Sequence, residues 1–165
     1  MSANSRLTLA VHTLSFLAHY RDRQDPFSSE RDFFSSERIA RSVQTNAVVL
    51  RNLLGMMEKQ GLVRVQRGSN AGWQVAREPE EITLLDVYRA VEQPELFAMH
   101  HTPPNPRCTI GYGIGPALEE IYAKAQNALE EELAHTTIAD VLRATLAYSR
   151  AAQQQSEEAQ AAPHT

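Results

Sequence analysis

The chain has 165 residues, 42% of them hydrophobic, a single cysteine and a net charge of −4. That length holds one full domain, or one small domain with an appended helix. The lone cysteine excludes an intramolecular disulfide framework and points to the cytosol. The opening MSANSRL is not patterned as a signal peptide, and no apolar run reaches the ~20 residues that cross a bilayer. The charge is unevenly spread. Residues 1–77 hold 11 Lys and Arg against 6 Asp and Glu, whereas residues 78–165 hold 5 against 14. A basic front half can face a polyanion in a chain of negative total charge, because the local field governs the contact.

In chain order, SRLTLAVHTLSFLAHY (5–20) spaces Leu7, Val11, Leu14, Leu17 and Ala18 as one amphipathic helix. A charged stretch broken by Pro26 follows, with FSSER at 27–31 and again at 34–38. This reads as a local tandem duplication that lengthens a loop and has no functional weight. The second copy feeds a short helix, SSERIARSV, capped by Ser35 or Ser36. Thr45-Asn46 offers another cap, AVVLRNLLGMMEKQ (47–60) a longer helix, and Gly61 its stop. RVQRGSNAGWQVAR (64–77) is a hairpin turning between Gly68 and Gly72, with Arg64, Arg67 and Arg77 on or beside it. The Trp73 ring is expected to pack under that hairpin. ITLLDVYRAVE (82–92) is a helix with Thr83 and Asp86 spaced as a capping box. Residues 93–115, rich in proline and glycine, read as an irregular loop. Pro116 opens the longest helix, to His135, and Thr136 or Thr137 caps a last one to Ser149. The polar tail after it reads as disordered.

Short helix, turn, longer helix, glycine, strand and basic hairpin make a winged helix-turn-helix. The whole is mainly α with a small β-hairpin wing, plus a long dimerisation helix. The expected division is 1–92 for the DNA-binding domain, 93–115 for a sensor-like loop, 116–149 for dimerisation helices and 150–165 for the tail. Wound at 100° per residue, the 47–60 helix puts Val49, Leu50, Leu53, Leu54 and Met57 on one side and Val48, Arg51, Asn52, Gly55 and Lys59 on the other. The second face suits a major groove. Arg51 can chelate guanine O6 and N7, Asn52 adenine N6 and N7, and Val48 can touch a thymine methyl. Lys59 would meet phosphate. Amides at Thr45 and Asn46 would form a phosphate site at the helix start. In the wing, Arg67, Ser69 and Asn70 would meet backbone or minor groove.

VVLRNLLGMMEKQGLV, RGSNAGWQVAREPEEITLLDVYRAVE and CTIGYGIGPALEEIYAKAQNALEEELAHTTIADVL resemble the Rrf-two family of bacterial transcription regulators. These are IscR- and NsrR-like winged helix-turn-helix proteins, and the likeness is to the cluster-free, YwnA-like branch. It runs from Ser5 to about Leu146. It implies DNA binding as a homodimer through the long helix, with Arg51 at the base-reading position and Arg67 as the wing arginine. The family's wing usually reads RGPGGGY, whereas this one reads RGSNAGW.

Some members hold an iron–sulfur cluster on three loop cysteines, with a histidine three residues after the last. Here that loop has only Cys108, and Gly111 stands at the histidine position. No cluster or other cofactor is expected. His100, His101 and Cys108, with His12 of a second subunit, are the residues from which a metal site would have to be built, but their spacing matches no zinc motif. His12, alone on an apolar helix, reads as a core residue. Cys108 reads either as an inert packing residue or as a redox-sensing candidate, the latter because it follows Arg107 and precedes a helix start, surroundings in which thiols react readily.

The chain lacks a nucleophile elbow, a phosphate loop, an H-E-x-x-H and a dinucleotide fingerprint, so no enzyme is expected. The reading is a cytoplasmic, homodimeric, sequence-specific regulator of double-stranded DNA. It is read as a repressor, responsive to redox or a small effector, with no membrane partner. Its alternatives are a winged helix that binds protein and never DNA, and a metal or iron–sulfur sensor.

Overall fold

The computed structural model describes residues 3–21, 33–68, 71–91 and 97–161. The elements run α1 (Ala3–Arg21), α2 (Ser36–Ser42), α3 (Ala47–Lys59), β1 (Val63–Gln66), β2 (Gly72–Val75), a 3-10 turn (Pro79–Glu81), α4 (Leu84–Ala90), α5 (Thr109–Ala134) and α6 (Ile138–Ala161). The fold is mainly helical with a two-strand hairpin, as expected.

One core joins most of these elements. Leu14 and Leu17 of α1, Ile39 of α2, Leu50, Leu54 and Met57 of α3, Val87 of α4 and Ile138 of α6 are all fully buried in it. Burying a side chain of this size contributes about 1.5–3 kcal/mol. The helix starts are set by their caps. The Ser35 side chain accepts from the Arg38 amide, and Asn46 accepts from the Val48 amide. Thr83 and Asp86 exchange the two bonds of a capping box. So do Thr137 and Asp140. Gly61, at φ 67°, ends α3. Its N–H donates to the Glu58 carbonyl and that of Leu62 to the Met57 carbonyl, a Schellman pair.

The hairpin pairs Val63 with Val75, Arg64 with Gln74, Val65 with Trp73 and Gln66 with Gly72. Phe34 adds a one-residue third strand. Its N–H donates to the Trp73 carbonyl at 2.9 Å and its carbonyl accepts from the Trp73 N–H at 2.8 Å. Trp73 is half-buried against the core, as its expected place under the wing requires. The second FSSER copy is therefore more than loop length. Phe34 is buried, Ser35 is a cap, Ser36 is buried, and the Arg38 guanidinium lies over the Phe34 ring at 4.7 Å. The first copy lies outside the described residues.

Two boundaries differ from those read in the sequence. First, α5 begins at Thr109, so Pro116 is inside it and not at its first turn. Glycine and proline signalled a loop there. The segment folds as helix with the Tyr112 N–H bonded to the Cys108 carbonyl, and Gly111 set against the Asn105 backbone. Second, α6 continues to Ala161, through a tail expected to be disordered. Alanine, glutamine and glutamate are strong helix formers, and they dominate that stretch. The start of α6 lies at its expected Thr137 cap and packs on the head. Ile138 is fully buried, its N–H donates to the Ile82 carbonyl at 2.9 Å, and Leu84 N–H donates to the Thr136 carbonyl at 2.8 Å.

Candidate nucleic-acid interface

Helices α2 and α3, with a turn between them, place α3 with one face in the core and one in solvent. Leu50, Leu53, Leu54 and Met57 are buried. Val48 is 56% exposed, and Arg51, Asn52 and Lys59 are exposed as well. The four residues expected to face a groove thus share an open surface. Gly55 lies on the same side, and a Cβ there would meet no atom within 4 Å.

Arg51 is held at one side of its guanidinium. Its Nη1 donates to Glu37 Oε1 at 2.9 Å and to Ser36 Oγ at 3.3 Å. Ser36 Oγ in turn donates to Glu37 Oε1 at 3.2 Å. Hydrogen bonds from the Glu37 amide and the Ser36 hydroxyl, with the Arg51 guanidinium alongside, hold the Glu37 carboxyl below the usual glutamate range. Sequence reading missed Glu37 and Ser36. It saw SSER only as a helix start, because no local pattern pairs a first-turn acid with an arginine fourteen residues on.

Of the two residues expected to offer amides to a phosphate at the start of α3, Thr45 has its amide engaged. The Thr45 N–H already donates to the Ala40 carbonyl at 3.0 Å. The Asn46 side chain is engaged in capping, its Oδ1 accepting from Val48 N–H at 2.7 Å. Both residues border the surface, but this Thr45 donor is taken.

The wing stands beside α3. Arg67 is exposed at its tip and, among the described residues, makes no ion pair. Gly68, at φ 107°, turns the chain, and Ser69 and Asn70 lie outside the described residues. The other two arginines have structural partners. Arg64 donates twice to Gln74 Oε1, and Arg77 pairs with Asp86 at 3.6 Å. Between wing and helices lies a groove of about 310 Å³ lined by Glu37, Arg51, Gln66, Arg67 and Trp73, among others.

The loop ahead of α5 carries the sensor candidates. Cys108 is exposed and is the N-cap residue of α5, without a side-chain capping bond. The His100 and His101 rings stack at 4.6 Å, and His100 Nδ1 accepts from the Thr102 N–H at 3.2 Å. His12 is exposed on α1, so it is not the core residue expected. Among the described residues no three His, Cys, Asp or Glu side chains gather as a metal site. A cavity of about 610 Å³ lies between this loop and α5, lined by Met99, Pro103, Ile114, Leu118 and Tyr122 among others.

Comparison with known proteins gives these parts a common context. Residues 3–144 match the profile of the family described as Rrf2, iron-dependent transcriptional regulator. YwnA of Bacillus subtilis (strain 168), described as an HTH-type transcriptional regulator, is 40% identical over 140 residues, which are 84% of this chain and 96% of YwnA. A transcriptional regulator from Lactobacillus plantarum superposes with a TM-score of 0.69 at 23% identity, over 93% of this chain and 97% of that one. IscR from T. potens superposes with a TM-score of 0.59 at 23% identity, over 97% and 91%. These two structures share the fold.

The family description implies iron, and the residues present do not fit an iron–sulfur cluster. The chain supplies one thiol. At Gly111, any side chain would drive its Cβ into the carbonyl of Asn105. A histidine ligand has no room at that position, and clusters need several protein ligands.

Proposed function

Because the chain belongs to the Rrf2 family, whose members are DNA-binding transcription regulators and not enzymes, we propose that it is a sequence-specific homodimeric repressor that reads duplex DNA with α3. The observation that carries this is the open face of α3, with Val48, Arg51, Asn52 and Lys59 beside the exposed Arg67 of the wing. Two such helices, presented by a two-fold dimer, would enter major grooves about 34–36 Å apart. Lysine and arginine contacts to phosphate supply affinity, and Arg51 with Asn52 supplies sequence preference.

The dimer forms through α5, which has no buried residue in a single chain. Ile110, Ile114, Ala117 and Ile121 recur on it at helical spacing and are exposed. The loop of residues 97–108 joins head to dimer helix and carries the response to an effector, with Cys108 as its redox-sensing residue. No helix among the described residues is long and apolar enough to cross a membrane, and the site of action is the cytoplasm.

The deciding experiment is selection of duplexes from a randomised pool by the purified protein. The reading expects a two-fold symmetric consensus whose binding weakens linearly in log salt. R51A should then lose one base position in each half-site. A pool with no consensus, or an R51A variant that selects the same sequence, overturns the groove assignment.

A further inference from the structure

We propose that Glu37 is a specificity-determining residue that positions Arg51 for a base, an inference that rests on the assignment of α3 to the major groove. Among the described residues, Arg51 bonds to protein through Nη1 alone, to Glu37 Oε1 and Ser36 Oγ. Its Nη2 and Nε are left as a pair of parallel donors, the geometry that a guanine edge accepts. The side chain is still 48% exposed, so it is anchored without being withdrawn from the surface.

An arginine on an open helix face otherwise samples many rotamers, and ordering it on binding opposes association. Here Glu37 fixes one end of the guanidinium before DNA arrives. Glu37 is itself fixed. It sits in the first turn of α2 and accepts from the hydroxyl of Ser36, which is buried. The anchor therefore reaches back to the core.

Glu37 has a second effect. Its carboxylate lines the groove between α3 and the wing, together with Arg51 and Arg67. A DNA backbone passing there meets a negative charge, which opposes binding wherever Arg51 finds no guanine to compensate. Anchoring and repulsion act in the same direction. Both raise the difference between the right sequence and a wrong one.

The test repeats the randomised-pool selection with wild type, R51A, E37A and E37Q, and measures each protein on the wild-type consensus and on an unrelated duplex. R51A marks the base that the arginine reads. E37A is expected to lose preference at that same base by roughly tenfold, with the other positions kept and the unrelated duplex bound more tightly. E37Q, which retains an acceptor for Nη1, is expected to recover part of the preference. A general loss of folding would weaken every position alike, so loss at one base is a readout that structural damage does not produce. If R51A loses a base and E37A keeps it, the positioning role of Glu37 is wrong while the groove assignment stands. If R51A loses none, the groove assignment fails and this inference with it.

Discussion

Thr83 and Thr137 pair as an antiparallel bridge, and each caps a helix, α4 and α6. Two helix starts some fifty residues apart are thereby tied back to back, with Ile138 buried directly behind the tie. This is how the head holds the chain on both sides of α5. Ile138→Ala should destabilise the protein by about 2–5 kcal/mol, the range for truncating a fully buried isoleucine. Thr137→Ala should cost about 1 kcal/mol, the value of one N-cap. Chemical denaturation reads both. Equal and small effects would mean that α6 is not part of the head core.

The same cap gives a pH dependence. Hydrogen bonds from the Thr137 hydroxyl and amide, with Arg143 alongside, hold the Asp140 carboxyl below the ordinary aspartate range. A depressed carboxyl stabilises the fold fully above its unfolded value, about 3.9, and loses that contribution as pH falls through the lower folded value. Wild type should therefore exceed D140N in stability at neutral pH, and the two curves should converge below about pH 4. A constant gap down to the acid limb would show that the charge is not what the cap uses.

Much of this was legible in the sequence because short-range rules governed it. Asn46, Thr83 and Gly61 lie where capping chemistry puts them, and Leu50, Leu54 and Met57 mark a buried face by spacing alone. What was not legible depended on contacts distant in the chain. Phe34 joins the wing only because Trp73 comes back to it. The helix through Thr109–Gly115 forms against local glycine signals because Gly111 lets the Asn105 backbone lie against its first turn. The Glu37–Arg51 pair spans fourteen residues and two helices, and no local pattern announces it. Of the set proposed to face DNA, spacing marked Val48, Arg51, Asn52 and Lys59, but it could not show that the Thr45 amide is occupied.

On the proposed reading, Lys59 and Arg67 meet phosphate and not bases. K59A and R67A should each weaken binding to cognate and unrelated duplexes by similar factors. Each should also reduce the slope of log affinity against log salt by about one per contact removed. Titrations over a salt series measure this. A change in sequence preference in R67A would instead place the wing arginine in the minor groove.

The apolar stripe of α5 predicts a dimer that one charge can break. Ile121 is 57% exposed in the single chain, so Ile121→Asp removes nothing from the head core. Sedimentation should show the variant as a monomer with unchanged helical content. Its affinity for a two-half-site duplex should fall toward that for a single half-site, because the second head is no longer tethered. A variant that stays dimeric would put the interface on another surface.

Two wing glycines are needed for different reasons, and their alanine variants separate them. At Gly72 a Cβ would lie 2.7 Å from the Phe33 carbonyl carbon, 2.8 Å from Phe33 Cβ and 2.9 Å from the Phe34 N. Backbone cannot give way as a flexible side chain can, so G72A must push the hairpin off Phe34 and strain the two bonds of the Phe34–Trp73 bridge. The expected loss is about 1–3 kcal/mol, the scale of overpacking. At Gly68 a Cβ meets nothing within 4 Å, but the backbone sits at φ 107°. G68A should therefore destabilise through backbone strain alone, by about 1–2 kcal/mol, and leave the Phe34–Trp73 bridge in place. Amide exchange at Phe34 and Trp73 distinguishes them: faster in G72A, unchanged in G68A. Slow exchange at both residues in G72A would mean that the hairpin absorbs the new methyl without leaving Phe34.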